Sequence, residues 1–362
     1  MPPDLSERDL ALVGGLVAIP SVSRQEGDAA EWLVARMAER GFQASVDPAG
    51  NAVGEIGEGP VHVVLLGHID TVPGEIPVRI EEGELVGRGA VDAKGPLATF
   101  VAAATEPPAG VRITVVGAVE EESPTSKGAR YRATLPAPDW CVIGEPSGWD
   151  GVTVGYKGRL VLGLSLTRDA RHGASPGPTC AEEALVLWDR IRTAAEARTP
   201  DTQLTRGFAH LDCRLEGIQA IAGDGLTERA ELRVGYRVPP GIATTELADA
   251  VREIAGSHDG EAAVEVLHVA SEEPARTARS SALARAFAGA IVAAHGTPAF
   301  RVKSGTSDMN ILLPAWGCPM VAYGPGDARY DHTPMERLGL ADYALAIQVL
   351  RAVLERAAKQ VG

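Results

Sequence analysis

The sequence predicts an α/β chain with a mixed, mostly buried sheet, interrupted by a smaller inserted α+β layer. Two observations carry this reading. Three apolar segments, 61–66, 111–119 and 140–143, lack clean alternation and run straight into a histidine or into acids. That is the pattern of sheet-centre strands covered on both faces. From about Gly158 the chain changes to alternating strands around two helices, in β-α-β-β-α-β order. The 362 residues suffice for two domains and a sizeable core.

Taken in order, the first helix is predicted from the stripe Leu10, Val13, Leu16 and Val17, capped by Asp4 or Ser6 and ended by Pro20. A second covers 28–40, with Trp32, Leu33 and Met37 on one face and Gly41 at its end. Short strands follow at 42–46 and 52–56, then the central strand at 61–66. A small-residue helix at 97–104 precedes the Pro107-Pro108 break, the strand at 111–119, a helix at 127–135 and the strand at 140–143. The inserted layer has strands near 160–167, 208–218, 230–238 and 262–269, with helices at 180–197 and 245–255. It resembles a ferredoxin-like sandwich. Helices at 281–295 and 342–359 flank a strand at 320–323 as the first domain resumes.

Composition narrows the function. A 45% hydrophobic fraction argues against disorder, and no apolar run is long enough to span a bilayer. No basic stretch followed by an apolar one opens the chain, so no secretory signal and a cytoplasmic location are expected. Cys141, Cys180, Cys213 and Cys318 are scattered and form no CxxC pair, which favours reduced thiols over a disulfide framework. A net charge of −14 disfavours nucleic acid and anionic membranes as partners.

The chemistry gathers where the apolar strands end, which is where open α/β sheets place their ligand sites. His68 and Asp92 read as metal ligands, with Asp70 orienting the histidine. Singly, each candidate has a plainer reading. His68 could be a polar loop residue, Asp92 a turn former, Glu120–Glu122 a solvated face, Glu145 a loop acid, and His332 a turn residue. Together they weaken that reading, because acids set directly after buried strands are costly unless paired or metal-bound. Imidazole and carboxylate donors suit zinc, or less selectively cobalt or manganese. Two histidines and three carboxylates suffice for two ions roughly 3.5–4 Å apart, one carboxylate bridging them.

His68-Ile69-Asp70, Gly87-Arg88-Gly89-Ala90-Val91-Asp92-Ala93-Lys94-Gly95, the glutamate run, Gly144-Glu145-Pro146 and His332-Thr333-Pro334 carry a resemblance that covers nearly the whole chain. It is to the co-catalytic dizinc exopeptidase and deacylase superfamily, which includes acetylornithine deacetylase, succinyl-diaminopimelate desuccinylase and glutamate carboxypeptidase. The resemblance implies a zinc-peptidase catalytic domain over 1–157 and 271–362, and an inserted ferredoxin-like lid and dimerisation domain over 158–270. It implies two Zn2+ per subunit, with Co2+ as an alternative. His68, Asp92 and Glu145 would hold one ion; Asp92, Glu122 and His332 would hold the other. Glu121 would be the general base, and Asp70 would hydrogen-bond His68. The run of three glutamates departs from the usual pair, so Glu120/Glu121 stands as a second register beside Glu121/Glu122.

The resemblance extends to the insertion. His172, in Ala170-Arg171-His172-Gly173-Ala174-Ser175-Pro176, matches a histidine that stabilises an oxyanion in the partner subunit's site, which implies a homodimer. Arg237 matches an arginine that pairs with a substrate carboxylate. Gly305, Thr306 and Ser307 match a loop that contacts substrate. Glu120-Glu121-Glu122, Gly155-Tyr156-Lys157-Gly158-Arg159 and Lys303-Ser304-Gly305-Thr306-Ser307-Asp308 resemble the lysine-biosynthesis branch. Its members hydrolyse the amide between the terminal γ-glutamyl group of an amino-group carrier protein and the α-amine of lysine or ornithine. Two other readings compete: a deacylase of small N-acyl amino acids such as N-acetylornithine, N-acetyllysine or succinyl-diaminopimelate, and a metal-free binding relative. For carrier docking, Lys157, Arg159, Arg168 and Arg171 are the expected basic patch.

Overall fold

The computed structural model describes residues 5–173, 175–198, 207–221 and 225–359. Asp4 and Ala174, named above, lie outside them. The chain divides into two compact units, one of 1–155, 277–302 and 307–362, the other of 156–276 with 303–306. The second begins at Tyr156 for local reasons. Lys157 is buried there, with its Nζ donating to Asp212 (2.7 Å) and to the His210 carbonyl (2.6 Å). The Lys157 N–H donates to the Lys303 carbonyl (3.1 Å), and the Lys303 ammonium lies 5.8 Å from the Tyr156 ring centre. These contacts hold 303–306 with the insertion.

In the first unit, the strand Val61–His68 lies between Val111–Ala118 and Trp140–Gly144 and is parallel to both. Met320–Tyr323 continues the parallel set beside Trp140–Gly144. Ala52–Ile56 and Gln43–Val46 extend the other side antiparallel. The strands tolerate close cover because small residues sit where backbones meet. A Cβ on Gly144 would stand 2.8 Å from the Gly67 Cα and 3.0 Å from Phe100. All of the helix Lys94–Ala104 is buried, and Leu340–Ala358 packs against it.

Hydroxyl caps open two of the helices in the first unit. Ser6 accepts from Asp9 N–H (3.1 Å) ahead of Glu7–Ala18, and Ser281 accepts from Ala284 N–H (3.2 Å) ahead of Ala282–Ala293. Elements outside the predicted set include the strands Gly151–Tyr156 and Ala299–Lys303, the helix Met309–Trp316, and the small sheet Arg79–Glu81, Glu84–Val86 and Arg337–Gly339. The helix contains Pro314, which reads as a breaker in sequence.

In the second unit the four long strands form one antiparallel sheet. Gly158–Asp169 and Thr227–Val238 are central, Asp212–Ile221 and Ala263–Glu272 outer. Leu160, Leu162, Leu164 and Leu166 alternate onto one face and meet Leu187 and Ile191 of the helix Cys180–Ala197. This is the ferredoxin-like α+β insertion. Among the described residues no helix is long and apolar enough to cross a membrane.

Candidate metal centre

Three parallel strands deliver the chemistry from adjacent C-terminal ends. His68 is the last residue of its strand, and the neighbouring Ile69 N–H still bonds to the Ala118 carbonyl (2.8 Å). Glu121 and Glu122 follow Val111–Ala118, and Glu145 follows Trp140–Gly144 directly. Asp92 comes from the 87–93 segment, and His332 reaches in from an exposed loop.

Their donor atoms converge. His68, Asp92 and Glu145 form one group with all ligand atoms within 4.8 Å; Asp92, Glu122 and His332 form a second; His68, Glu121 and Glu122 form a third. Asp92 has a different oxygen toward each histidine: Oδ1 is 3.1 Å from His68 Nε2, and Oδ2 is 3.0 Å from His332 Nε2. Glu122 Oε1 lies 2.7 Å from the same His332 nitrogen. Two ligands of one tetrahedral zinc stand about 3.3 Å apart, a separation these hydrogen-bonded donors already approach. Glu120 belongs to none of the three groups. Its carboxylate is bonded by the Thr125 hydroxyl and faces Arg24 at 3.9 Å.

Two further carboxylates organise the donors from behind. Asp70 accepts the N–H groups of Glu121 and Glu122, each at 3.0 Å, and the Ser23 hydroxyl at 2.7 Å. Its main-chain carbonyl is 3.0 Å from His68 Nδ1, which turns Nε2 toward Asp92. Glu336 is 1% exposed and does the same for the other loop. Its Oε1 accepts from Val91 and Asp92 N–H, each at 3.0 Å, while Arg88 donates to Oε2 at 2.8 Å. Asn51 clamps the glutamate segment. It accepts from Val119 N–H (3.0 Å) and donates to the Gly128 carbonyl (3.3 Å). A Cβ at Gly128 would meet Asn51 Oδ1 at 2.3 Å, so this position needs glycine. Glu120 (φ 61°) and His332 (φ 58°) hold left-handed backbone, a strain of about 1–3 kcal/mol each that such sites commonly store.

The electrostatics call for cations. Asp70, Asp92, Glu121, Glu122, Glu145 and Asp308 surround only two imidazoles. Burial opposes a charge on His68, yet its bonds to Asp70 and Asp92 hold its pKa well above the usual value. The Asp92 and Glu122 hydrogen bonds push His332 up to about 10. Burial, reinforced by Asp308, Glu145 and Glu122, drives Glu121 far above the carboxylate range, although His68 pulls the other way. Burial raises Asp308 to about 7 while its Oδ1 stays buried with no hydrogen-bond partner. A buried, over-acidic cluster with an orphaned oxygen fits bound divalent metal, and the mixed imidazole–carboxylate set suits zinc or a close relative.

None of the remaining predicted residues belongs to these groups. Arg237 and Gly305 both line a cleft in the inserted unit. Thr306 belongs to that unit, Ser307 to the first. Ser307 Oγ accepts from Met309 N–H (3.2 Å) at the start of the helix Met309–Trp316. His172 is exposed on a turn of the insertion. The expected basic patch needs correction. Lys157 and Arg168 are buried in ion pairs with Asp212 (2.7 Å) and with Glu228 and Glu183 (2.6 and 3.2 Å), and Arg171 is engaged by Glu261 (2.8 Å). Only Arg159 of the four escapes such pairing among the described residues. Glu336, Asp308 and Asn51 were not anticipated; a glutamate four residues after His332 was the one available signal.

Residues 64–356 match the model of peptidase family M20/M25/M40. A LysW-lysine hydrolase of Deinococcus radiodurans is 45% identical over 95% of this chain and 96% of its own length. A LysW-lysine/LysW-ornithine hydrolase of Saccharolobus islandicus is 27% identical over 94% of this chain and 93% of its own. Among solved structures, an M20 family metallo-carboxypeptidase from Sulfolobus solfataricus superposes with a TM-score of 0.76 at 18% identity, covering 98% of this chain and 100% of the other, which is a likeness of fold.

Proposed function

This chain belongs to peptidase family M20/M25/M40 and is a metal-dependent hydrolase, and we propose that it releases lysine from LysW by cleaving the amide between the carrier's terminal γ-glutamyl group and the lysine α-amine. The observation that carries the reading is the pair of donor groups sharing Asp92 at the strand ends, in a chain 45% identical to a LysW-lysine hydrolase. Ornithine on the same carrier is the second substrate of this class, in keeping with the name of the Saccharolobus relative.

His68, Asp92 and Glu145 would hold one Zn2+, and Asp92, Glu122 and His332 the other, with Co2+ as a working substitute. Bound there, the ions would polarise the scissile carbonyl and acidify the attacking water. Glu121 then accepts the water's proton and returns it to the leaving α-amine. Its backbone is fixed by Asp70, so the carboxylate enters the reaction already placed. Asp70 aligns His68 and the glutamate pair, and Glu336 aligns Asp92. Arg237 takes a substrate carboxylate through its guanidinium fork. Gly305, Thr306 and Ser307 contact the substrate. His172 supplies an oxyanion donor to a second copy of the chain, so the working form is a homodimer in the cytoplasm.

The test is an activity panel on chelated protein reconstituted with zinc or cobalt. Carrier-linked lysine, carrier-linked ornithine, N-acetyllysine and N-acetylornithine are compared by kcat/KM. Preference for the carrier adducts is expected. Equal or faster turnover of the acetylated amino acids would overturn the carrier reading in favour of a small-molecule deacylase.

A further inference from the structure

The inserted unit contains a cleft of about 510 Å³ whose cationic lining is Lys157, Arg159, Arg214 and Arg237. Lys157 is already neutralised by Asp212, and Glu216 is turned to Arg233 (3.0 Å). The three arginines lie together by strand register. Arg237 stands opposite Arg159 on one side and Asp212 on the other, and Arg214 opposite Gly235 is diagonal to Arg237. Among the described residues none of the three has an ion pair. Arg237 Nη1 is buried without a hydrogen-bond partner. Burial, with the charges of Arg159 and Arg214, holds the Arg237 guanidinium below its usual pKa, against the pull of Glu216 and Glu272. Gly235 keeps the floor open, since a Cβ there would lie 2.1 Å from Glu216 Oε1.

Like charges on neighbouring strand positions are destabilising, and a buried donor left without an acceptor costs about 1–3 kcal/mol. Such an arrangement is expected where an anion completes it. One carboxylate engages one guanidinium fork, which leaves two arginines. A γ-glutamyl-lysine amide carries two free carboxylates, one on each residue, whereas N-acetyllysine carries one. We propose that Arg159 and Arg214 form a second carboxylate subsite beside Arg237, so that the cleft selects γ-glutamyl amides with two carboxylates over N-acyl amino acids with one. This rests on the substrate reading above and adds the feature of the substrate that is recognised.

The experiment uses the full chain with metal and two substrates, N-acetyl-γ-glutamyl-lysine and the same compound with its glutamate α-carboxylate amidated. In R159Q and R214Q, KM for the dicarboxylate should rise about tenfold or more, the scale of a lost charge-assisted bond, with kcat within about twofold. KM for the amidated compound should move less than about threefold. Equal effects on both compounds, or none on the dicarboxylate, would overturn the subsite. If the wild type hydrolyses neither compound, the carrier-lysine panel above decides the substrate reading, and calorimetry on the same proteins still decides the cleft. Tighter binding of glutarate than of acetate, lost in R159Q, upholds it; no preference for the dianion overturns it.

Discussion

The strand Val61–His68 carries a histidine near each end, and the two behave oppositely. His62 pairs in the ladder with Arg112, and its ring lies 2.9 Å from the Thr114 hydroxyl. Burial, helped by the charge of Arg112, lowers its pKa to about 4. His68 lies deeper, yet Asp70 and Asp92 raise its pKa despite burial. The same residue type on the same strand thus has its pKa pushed down at one end and up at the other. Depth does not decide the difference; the neighbours do. The starts of the parallel strands mix charges, Arg112 and Arg132 with Glu55 and Asp139 around His62, whereas the ends gather carboxylates around His68, so the sheet has a mixed rim and an acidic rim. Only the acidic rim can gather cations.

Changes at the acidic rim should cost function, and changes at the opposite rim only stability. The largest effect is expected for Glu121→Gln: a loss of about 10²–10⁴ in kcat with metal content unchanged by elemental analysis. A fall in metal content instead would make Glu121 a ligand and move the base to another glutamate. Next, Asp70→Asn should weaken metal binding by about 10–100-fold in chelator competition, because Glu121 and Glu122 lose a charged acceptor. Retained affinity would mean the carboxylate does not organise them. Chelation of the wild type should lower the thermal midpoint by the linkage of bound metal, about 2.7 kcal/mol when free metal stands at 100 Kd. An unchanged midpoint would contradict the over-acidic cluster as a cation site. The smallest effect belongs to His62. Because its folded pKa is depressed, its neutral form contributes stability above about pH 6.5 that fades as pH falls toward about 4. His62→Gln should reduce the loss of urea midpoint between pH 7 and 4.5 and leave kcat unaltered at pH 7. An identical pH dependence in the variant would remove His62 from that account.

What sequence could carry differs between the donors and their supports. His68, Glu121, Glu122 and Glu145 stand at the ends of apolar strands, where a charge is conspicuous, and they do meet. Asp92 and His332 were legible through the motifs around them. Glu336 was not, because it acts on backbone N–H groups about 244 residues earlier, a pairing no local pattern encodes. Asp308 was hidden for a related reason: its burial depends on a helix that Pro314 disguised. The expected docking patch failed because charge counting in sequence ignores pairing. Arg168 meets Glu228 and Glu183 only once the sheet and helix of the insertion have closed. The ferredoxin-like order was readable because leucines alternate along 160–166 and period-two strands differ sharply from the helices between them.

The tie between Glu336 and the 91–92 backbone has a bearing on how the centre comes into being. One short segment, 332–336, both contributes a histidine to the second donor group and holds the shared aspartate in place. A nascent chain that has emerged only as far as residue 327 would own His68, Asp92, Glu122 and Glu145 but lack both His332 and the acceptor of the Val91 and Asp92 N–H groups. During synthesis at about 5–20 residues per second, the earlier donors precede that acceptor by the whole insertion. The donor set and its backbone support are therefore complete only once 332–336 has folded back onto 91–92.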